Sequence, residues 1–229
     1  EQLGADFVDL NFGCPVPKVV NKGAGSACLK DLVRLRDTLR AVKAAVTIPV
    51  TIKIRTGWDH ANRNSGEVVQ LAYDEGISWV AIHGRTRAAA YTGLADWNYI
   101  RSVKANSPLP IIGNGDIVSA ELANSRLAES SCDAVMIGRG CLKNPFIFLK
   151  ARALREGLSY PASDLAGVLD RLYTHLLGFY DERLTLIQMR KFASWYSSGF
   201  PSATNFRKDV FRTQERDETL DLIRGYFKT

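Results

Sequence analysis

The chain has 229 residues, 46% of them hydrophobic, and a formal net charge of +6, enough to bury one sizeable core and carry a small appendage. It contains no apolar run near the roughly 20 residues that cross a bilayer, and its opening residues have neither a basic n-region nor an apolar h-region, so no membrane partner is expected. Its four cysteines, Cys14, Cys28, Cys132 and Cys141, form no CxxC pair and no Cys/His zinc spacing, which argues for a reduced cytoplasmic protein without a metal, while the positive charge favours a polyanionic partner.

Five short β-branched runs each end in a polar or glycine-rich cluster: Phe7–Phe12 into Gly13-Cys14-Pro15, Val50–Ile54 into Arg55, Val80–Ile82 into His83-Gly84-Arg85, Ile111-Ile112 into Gly113-Asn114-Gly115-Asp116, and Val135–Ile137 into Gly138-Arg139-Gly140. Strands are expected to start near Phe7, Val50, Trp79, Pro110 and Ala134. Helical spacing lies between them, as at Leu32, Leu35, Leu39 and Val42 and at Val68, Leu71 and Ala72, with Asp31 and Ser65 as N-cap candidates and Gly76 as a stop. Steps of 24 to 43 residues between strands are βα-unit lengths, so the sheet is parallel and ligands belong at the C-terminal strand ends. A closed (β/α)₈ barrel needs eight strands. With five counted, and an opening that reads as the last turn of a helix stopped by Gly4, a barrel missing about its first three strands is expected; an open flavodoxin-like sheet is the alternative.

After Phe148 the strand rhythm stops. Leu165–Tyr180, Leu184–Trp195 and Glu218–Phe227 read as helices, giving a partial barrel over 1–148 and a helical domain over 149–229. From residue 150 onward 13 Lys and Arg face 10 Asp and Glu, so the tail is no more basic than the rest. A nucleic-acid face there depends on local clustering among Arg183, Arg190, Lys191, Arg207, Lys208 and Arg212.

The chemistry-bearing residues follow the strand ends. Alternation places Asp9 and Asn11 on one side of the first strand, and Gly13 and Pro15 turn the chain so that Cys14 is either a displayed thiol or a small buried hydrophobe. Lys53 and Arg55 share one face of the second strand, where they need an anion, a carbonyl-rich ligand or a carboxylate such as Asp9. Asn114-Gly115-Asp116 and Gly138-Arg139-Gly140 resemble paired phosphate-gripping loops, although glycine-rich βα turns also serve as plain connections. His83 is either a hydrogen-bond donor to a ligand or a satisfied structural imidazole.

Taken together, Asp9–Pro15, Lys53-Ile54-Arg55 with Thr56-Gly57-Trp58, His83-Gly84-Arg85-Thr86, Gly113–Ile117, Met136-Ile137-Gly138-Arg139 and the segment Arg190–Tyr196 resemble the ordered motifs of the tRNA-dihydrouridine synthases, most closely the bacterial B-type branch. The resemblance spans essentially the whole chain. It implies an FMN-binding (β/α)₈ barrel followed by a helical tRNA-binding domain, an enzyme that reduces specific tRNA uridines, NADPH as hydride donor and tRNA as partner. By position, Cys14 would be the general acid, Asn11 would orient the uracil, Lys53 would contact the flavin ring and His83 would lie near flavin and substrate. Asn114, Gly115, Asp116, Gly138 and Arg139 would hold the FMN phosphate end, and Arg55, Arg190 and Lys191 would face substrate. Against the family pattern, the loop after strand one and a glutamine on strand three are absent, so an unclosed barrel with weak FMN affinity is expected. A dihydroorotate dehydrogenase-like FMN enzyme and a non-catalytic RNA-binding module are the rival readings.

Overall fold

The computed structural model describes residues 1–160 and 163–228. Its core element is a five-stranded parallel sheet of β1 (Val8–Phe12), β2 (Val50–Arg55), β3 (Val80–His83), β4 (Ile111–Asn114) and β5 (Ala134–Met136), paired in sequence order. Every strand lies within one or two residues of its expected start. The order decides between the two sheet readings. A flavodoxin-like sheet reverses direction at a switch point, whereas consecutive parallel pairing advances one way, as in a barrel wall.

Right-handed crossovers that all step in one direction place their helices on one face of the sheet. That face is apolar: Ile52, Ile54, Val80, Ile82 and Ile111 are fully buried. The helices α1 (Pro17–Val20), α2 (Leu32–Ala45), α3 (Ser65–Asp74), α4 (Trp97–Ala105) and α5 (Ala120–Ser130) contribute Val20, Leu35, Leu39, Val68, Leu71, Ile100 and Ala123 to the buried set. Their entries are specified locally, since Asp31, Asp96 and Ser119 accept from Arg34, Tyr99 and Leu122 N–H groups. Ser65, expected as a cap, is instead the first residue of α3; Asn64 holds the cap position without a side-chain bond to the helix. Gly76, with φ +72°, follows the end of α3 as expected.

Two compact units divide the described chain, Glu1–Gly138 and Arg139–Thr229, so the expected boundary after residue 148 falls within the second. There a short 3-10 turn (Arg139–Leu142) leads into α6 (Ile147–Glu156), α7 (Leu165–Leu177), α8 (Glu182–Tyr196), α9 (Ala203–Arg212) and α10 (Arg216–Phe227). Leu169, Met189, Ala193, Phe206, Val210, Ile223 and Phe227 form one core in this unit. The Phe206 and Tyr226 rings stack with centroids 3.9 Å apart. The helix over Ala203–Arg212 went unread in the sequence because only Phe206 and Val210 mark its buried side.

Leu39 is fully buried on the sheet-facing side of α2. Leu39→Ala is expected to lower stability by about 2–5 kcal/mol, measurable as a shift of the urea midpoint at unchanged m-value.

Candidate active site

Strand register gathers the polar face. Asn11 pairs with Lys53, and Arg55 pairs with His83, which pairs in turn with Asn114. Partners in parallel register project to the same side, so Asn11, Lys53, Arg55, His83 and Asn114 line the face opposite the helices. Cys14 lies two residues beyond β1, half-buried. Its carbonyl accepts from Ser26 N at 3.0 Å and Ser26 Oγ at 2.8 Å, while the Asn11 side chain accepts from Gly13 N at 3.0 Å. Gly25, with φ +59°, crosses so close that a Cβ there would stand 2.8 Å from the Cys14 carbonyl oxygen. The thiol therefore sits on a braced loop.

Arg55 supplies the other brace. Only 2% exposed, it donates from Nε to Gly13 O and from Nη1 to Thr86 O and Ala90 O, each at 2.8 Å. The sequence places this cation toward substrate; the structure turns it onto three backbone carbonyls, because a buried guanidinium must find acceptors and two loop ends offer them. Burial pulls its pKa down, as does neighbouring Arg85, against the opposing influence of Tyr91 and Cys14.

Lys53 is different. No carboxylate among the described residues lies within ion-pair reach of its ammonium. Asp9, the expected partner, is exposed and accepts from Thr51 Oγ1 at 2.7 Å. Burial and Arg55 push the Lys53 pKa down, with Asp9 opposing. His83, 8% exposed, is pushed down to about 3 by burial and then by Arg55, Lys53 and Arg85, against Asp116. It is neutral at neutral pH. Arg85 Nη1 approaches its Nε2 at 3.3 Å, which assigns the lone pair to Nε2 and leaves the proton on Nδ1.

Sequence reasoning missed Arg85 and gave Asp116 to a phosphate. In the structure the two form a fork, Nη1 to Oδ1 at 2.9 Å and Nη2 to Oδ2 at 2.8 Å, with Arg85 also donating to Thr92 O and Gly93 O. Asp116 accepts from Ala95 N as well. Burial opposes ionisation most, but the Arg85 and Ala95 donors with the surrounding positive charge hold its pKa below the usual range. The carboxylate so engaged faces Arg85 and Ala95, which leaves the backbone N–H as the group Asp116 could offer a phosphate. The usable signal was the recurrence of Arg and Asp at equivalent strand ends, in His83-Gly84-Arg85 and Asn114-Gly115-Asp116. Gly115 itself, at φ +142°, leaves no room for a Cβ, which would meet Ala95. The Asn114 amide is bonded to Met136 O at 2.7 Å.

The remaining expected residues fall elsewhere. Gly138 closes the first compact unit and Arg139 opens the second. In that unit Arg190 turns inward, donating to Thr213 O at 2.8 Å and approaching Thr219 Oγ1 at 3.3 Å, whereas Lys191 is exposed with Nζ 4.9 Å from the Trp195 ring centroid. No group of three or more His, Cys, Asp and Glu residues among those described could hold a metal ion, and no described helix is long and apolar enough to cross a membrane.

A parallel α/β sheet with a cationic inner face and a thiol at its C-terminal rim defines the class as an α/β enzyme. The family model for dihydrouridine synthase (Dus) matches residues 1–229, and the chain belongs to that family. It is 42% identical to tRNA-dihydrouridine synthase B of Pseudomonas aeruginosa, over 99% of this chain and 69% of that protein, and 42% identical to the Vibrio cholerae protein of the same name, over 98% and 71%. A probable tRNA-dihydrouridine synthase of Rickettsia bellii is 40% identical over 92% of this chain and 66% of that one. Among solved structures, the Amycolatopsis orientalis BexX/CysO complex aligns at 12% identity with a TM-score of 0.37, over 56% of this chain and 52% of that one, a likeness too slight to bear on function.

The depressed His83 pKa carries a sign. An unfolded imidazole protonates near 6.5 and the folded one near 3, so the unfolded state takes the proton first. Stability should fall by up to about 1.4 kcal/mol per pH unit as pH drops through that window. Urea titrations at pH 7 and 5 should show a smaller loss for His83→Gln than for the unsubstituted protein. Separately, Arg55→Lys cannot span all three carbonyls and should cost at least about 1.5–3 kcal/mol for a lost charged hydrogen bond, read from the same denaturation.

Proposed function

We propose that this chain carries the catalytic wall of an FMN-dependent tRNA-dihydrouridine synthase, in which a uridine C5–C6 double bond is reduced with NADPH as the hydride source. The observation that carries this reading is the row Asn11, Lys53 and His83 on one sheet face with Cys14 held at its rim. The five strands are read as consecutive strands of an FMN-binding (β/α)₈ barrel, whose closure would use the free edges of β1 and β5. The Dus family match and the names of the relatives support both readings.

The residues present suit a flavin. Lys53 is a half-buried ammonium with no carboxylate in reach, the donor expected beside an electron-rich ring edge, and neutral His83 offers an Nδ1 proton without adding charge. Gly115 and Asn114 are read as the backbone turn that would meet a phosphate end. When bound, FMN would supply the hydride that uracil C6 receives. Cys14 donates its thiol proton to C5, so one hydride and one proton complete the saturated bond and the thiolate must then be reprotonated from solvent. Asn11 orients the base through its amide. Its side-chain oxygen already accepts from Gly13 N, which fixes the rotamer and leaves the amide NH₂ to face a uracil carbonyl. The base reaches the thiol only after leaving its stack, at a cost of a few kcal/mol that backbone contacts offset. Exposed Lys191 and Arg183 of α8 are read as tRNA phosphate contacts of the second unit.

With FMN, NADPH and unmodified tRNA, the full-length protein should form dihydrouridine, detected by mass spectrometry of digested tRNA. Cys14→Ala should slow turnover by about 10²–10⁴-fold, the usual span for a lost general acid, while flavin absorbance is retained. Flavin loss in that variant would make Cys14 structural instead.

A further inference from the structure

Beside the Cys14 loop, in the same compact unit, lies an open cavity of about 460 Å³ lined by Asn21, Gly23, Lys30, Trp58 and Arg87 among others. Two cations converge on one aromatic ring there: Lys30 Nζ is 4.6 Å and the Arg87 guanidinium 4.5 Å from the Trp58 ring centroid. The backbone that carries the ring is itself fixed. Trp58 N donates to Asn62 O at 3.1 Å, and Ala88 N donates to Trp58 O at 2.9 Å, zipping the loop after β2 to the loop after β3. Gly57 permits this closeness, since a Cβ there would collide with Asn62 O.

The charges in this cavity are uncompensated. Neither Lys30 nor Arg87 has an ion pair among the described residues, and Arg87 Nε is a buried donor with no hydrogen-bond acceptor. Asp59, the adjacent carboxylate, is turned back on its own loop, where one oxygen accepts from Ala61 N, Asn62 N and Asn62 Nδ2. A third cation, Arg34, lies against Gly23 at the cavity wall. Two cations without a carboxylate partner, set on one ring in the wall of an open cavity, give that cavity a positive lining suited to an anion. The lining segment is also the one that braces the thiol, because Ser26 between Ala27 and Gly25 bonds the Cys14 carbonyl.

We infer that Lys30 and Arg87, aligned by Trp58, bind a backbone phosphodiester of the RNA strand next to the nucleotide presented to Cys14. This rests on the synthase reading above. Arginine takes phosphate through two parallel N–H donors, lysine adds a point charge, and the ring holds both side chains in place so that less rotamer freedom is lost on binding. The site would act on the strand rather than the base, so it would be indifferent to sequence.

The test is fluorescence anisotropy of the FMN-loaded protein with unmodified tRNA at 50 and 200 mM salt. Each phosphate contact releases counterions, so Lys30→Gln and Arg87→Gln should each weaken binding and each shrink the ratio of the two Kd values about threefold. Arg87→Lys should keep most of the salt dependence, and Trp58→Ala should weaken binding while keeping most of the salt dependence. Lys30 is exposed, so Lys30→Gln tests the site without threatening the fold. Unchanged Kd and salt dependence in both glutamine variants would overturn the inference. So would loss of flavin or a raised KM for NADPH at unaltered tRNA affinity, because the cavity would then hold a cofactor phosphate. If the unsubstituted protein itself fails to bind tRNA, the synthase reading falls.

Discussion

A guanidinium buried at the end of the second strand has to be satisfied by something, and in this protein it is satisfied by backbone. Arg55 joins the carbonyl that precedes Cys14 to two carbonyls of the loop after β3. Three acceptors from two loops make the position of each loop conditional on the other, so the thiol is held from below by Arg55 and from the side by Ser26. The energetic logic is asymmetric. Such bonds add modestly to stability when made, but leaving the charge or the carbonyls without partners in a dry interior costs far more.

The same strand end sets the electrostatics. Lys53, Arg55 and Arg85 surround one imidazole, and their combined field with burial keeps His83 uncharged. Of the three cations, two are spoken for: Arg55 by carbonyls and Arg85 by the Asp116 fork. Lys53 is left as the one whose charge faces the open side of the sheet without a carboxylate in reach. An inner face built this way favours an anionic or carbonyl-rich ligand and disfavours a cation, whatever the ligand's detailed identity.

The second compact unit follows different physics. Its helices are closed around aromatic and aliphatic side chains with no sheet to pin them, and its caps at Asp164 and Asp181 fix where α7 and α8 begin. Arg190 shows why a basic cluster in sequence is not a basic surface: one member bridges the loop before α10 from within, while its neighbour Lys191 stays outside. Adjacent positions on a helix differ by about 100°, so neighbouring cations seldom serve the same partner.

The linear order of residues determined the five strands, their parallel sense, the crossovers between them and the grouping of polar residues at one set of strand ends. These depend on local alternation, β-branching, caps and glycine stops, all of which act over a few residues. The family was likewise legible, because ordered motifs survive in sequence. Only the tertiary structure decided which cations are occupied. Alternation places Arg55 and Lys53 alike, two residues apart on one face; they part because loop carbonyls from Gly13, Thr86 and Ala90 converge on the guanidinium of the first and not on the second. The Arg85–Asp116 fork and the convergence of Lys30 and Arg87 on Trp58 are long-range pairings of the same kind, set by how separate βα loops fold over a shared sheet end.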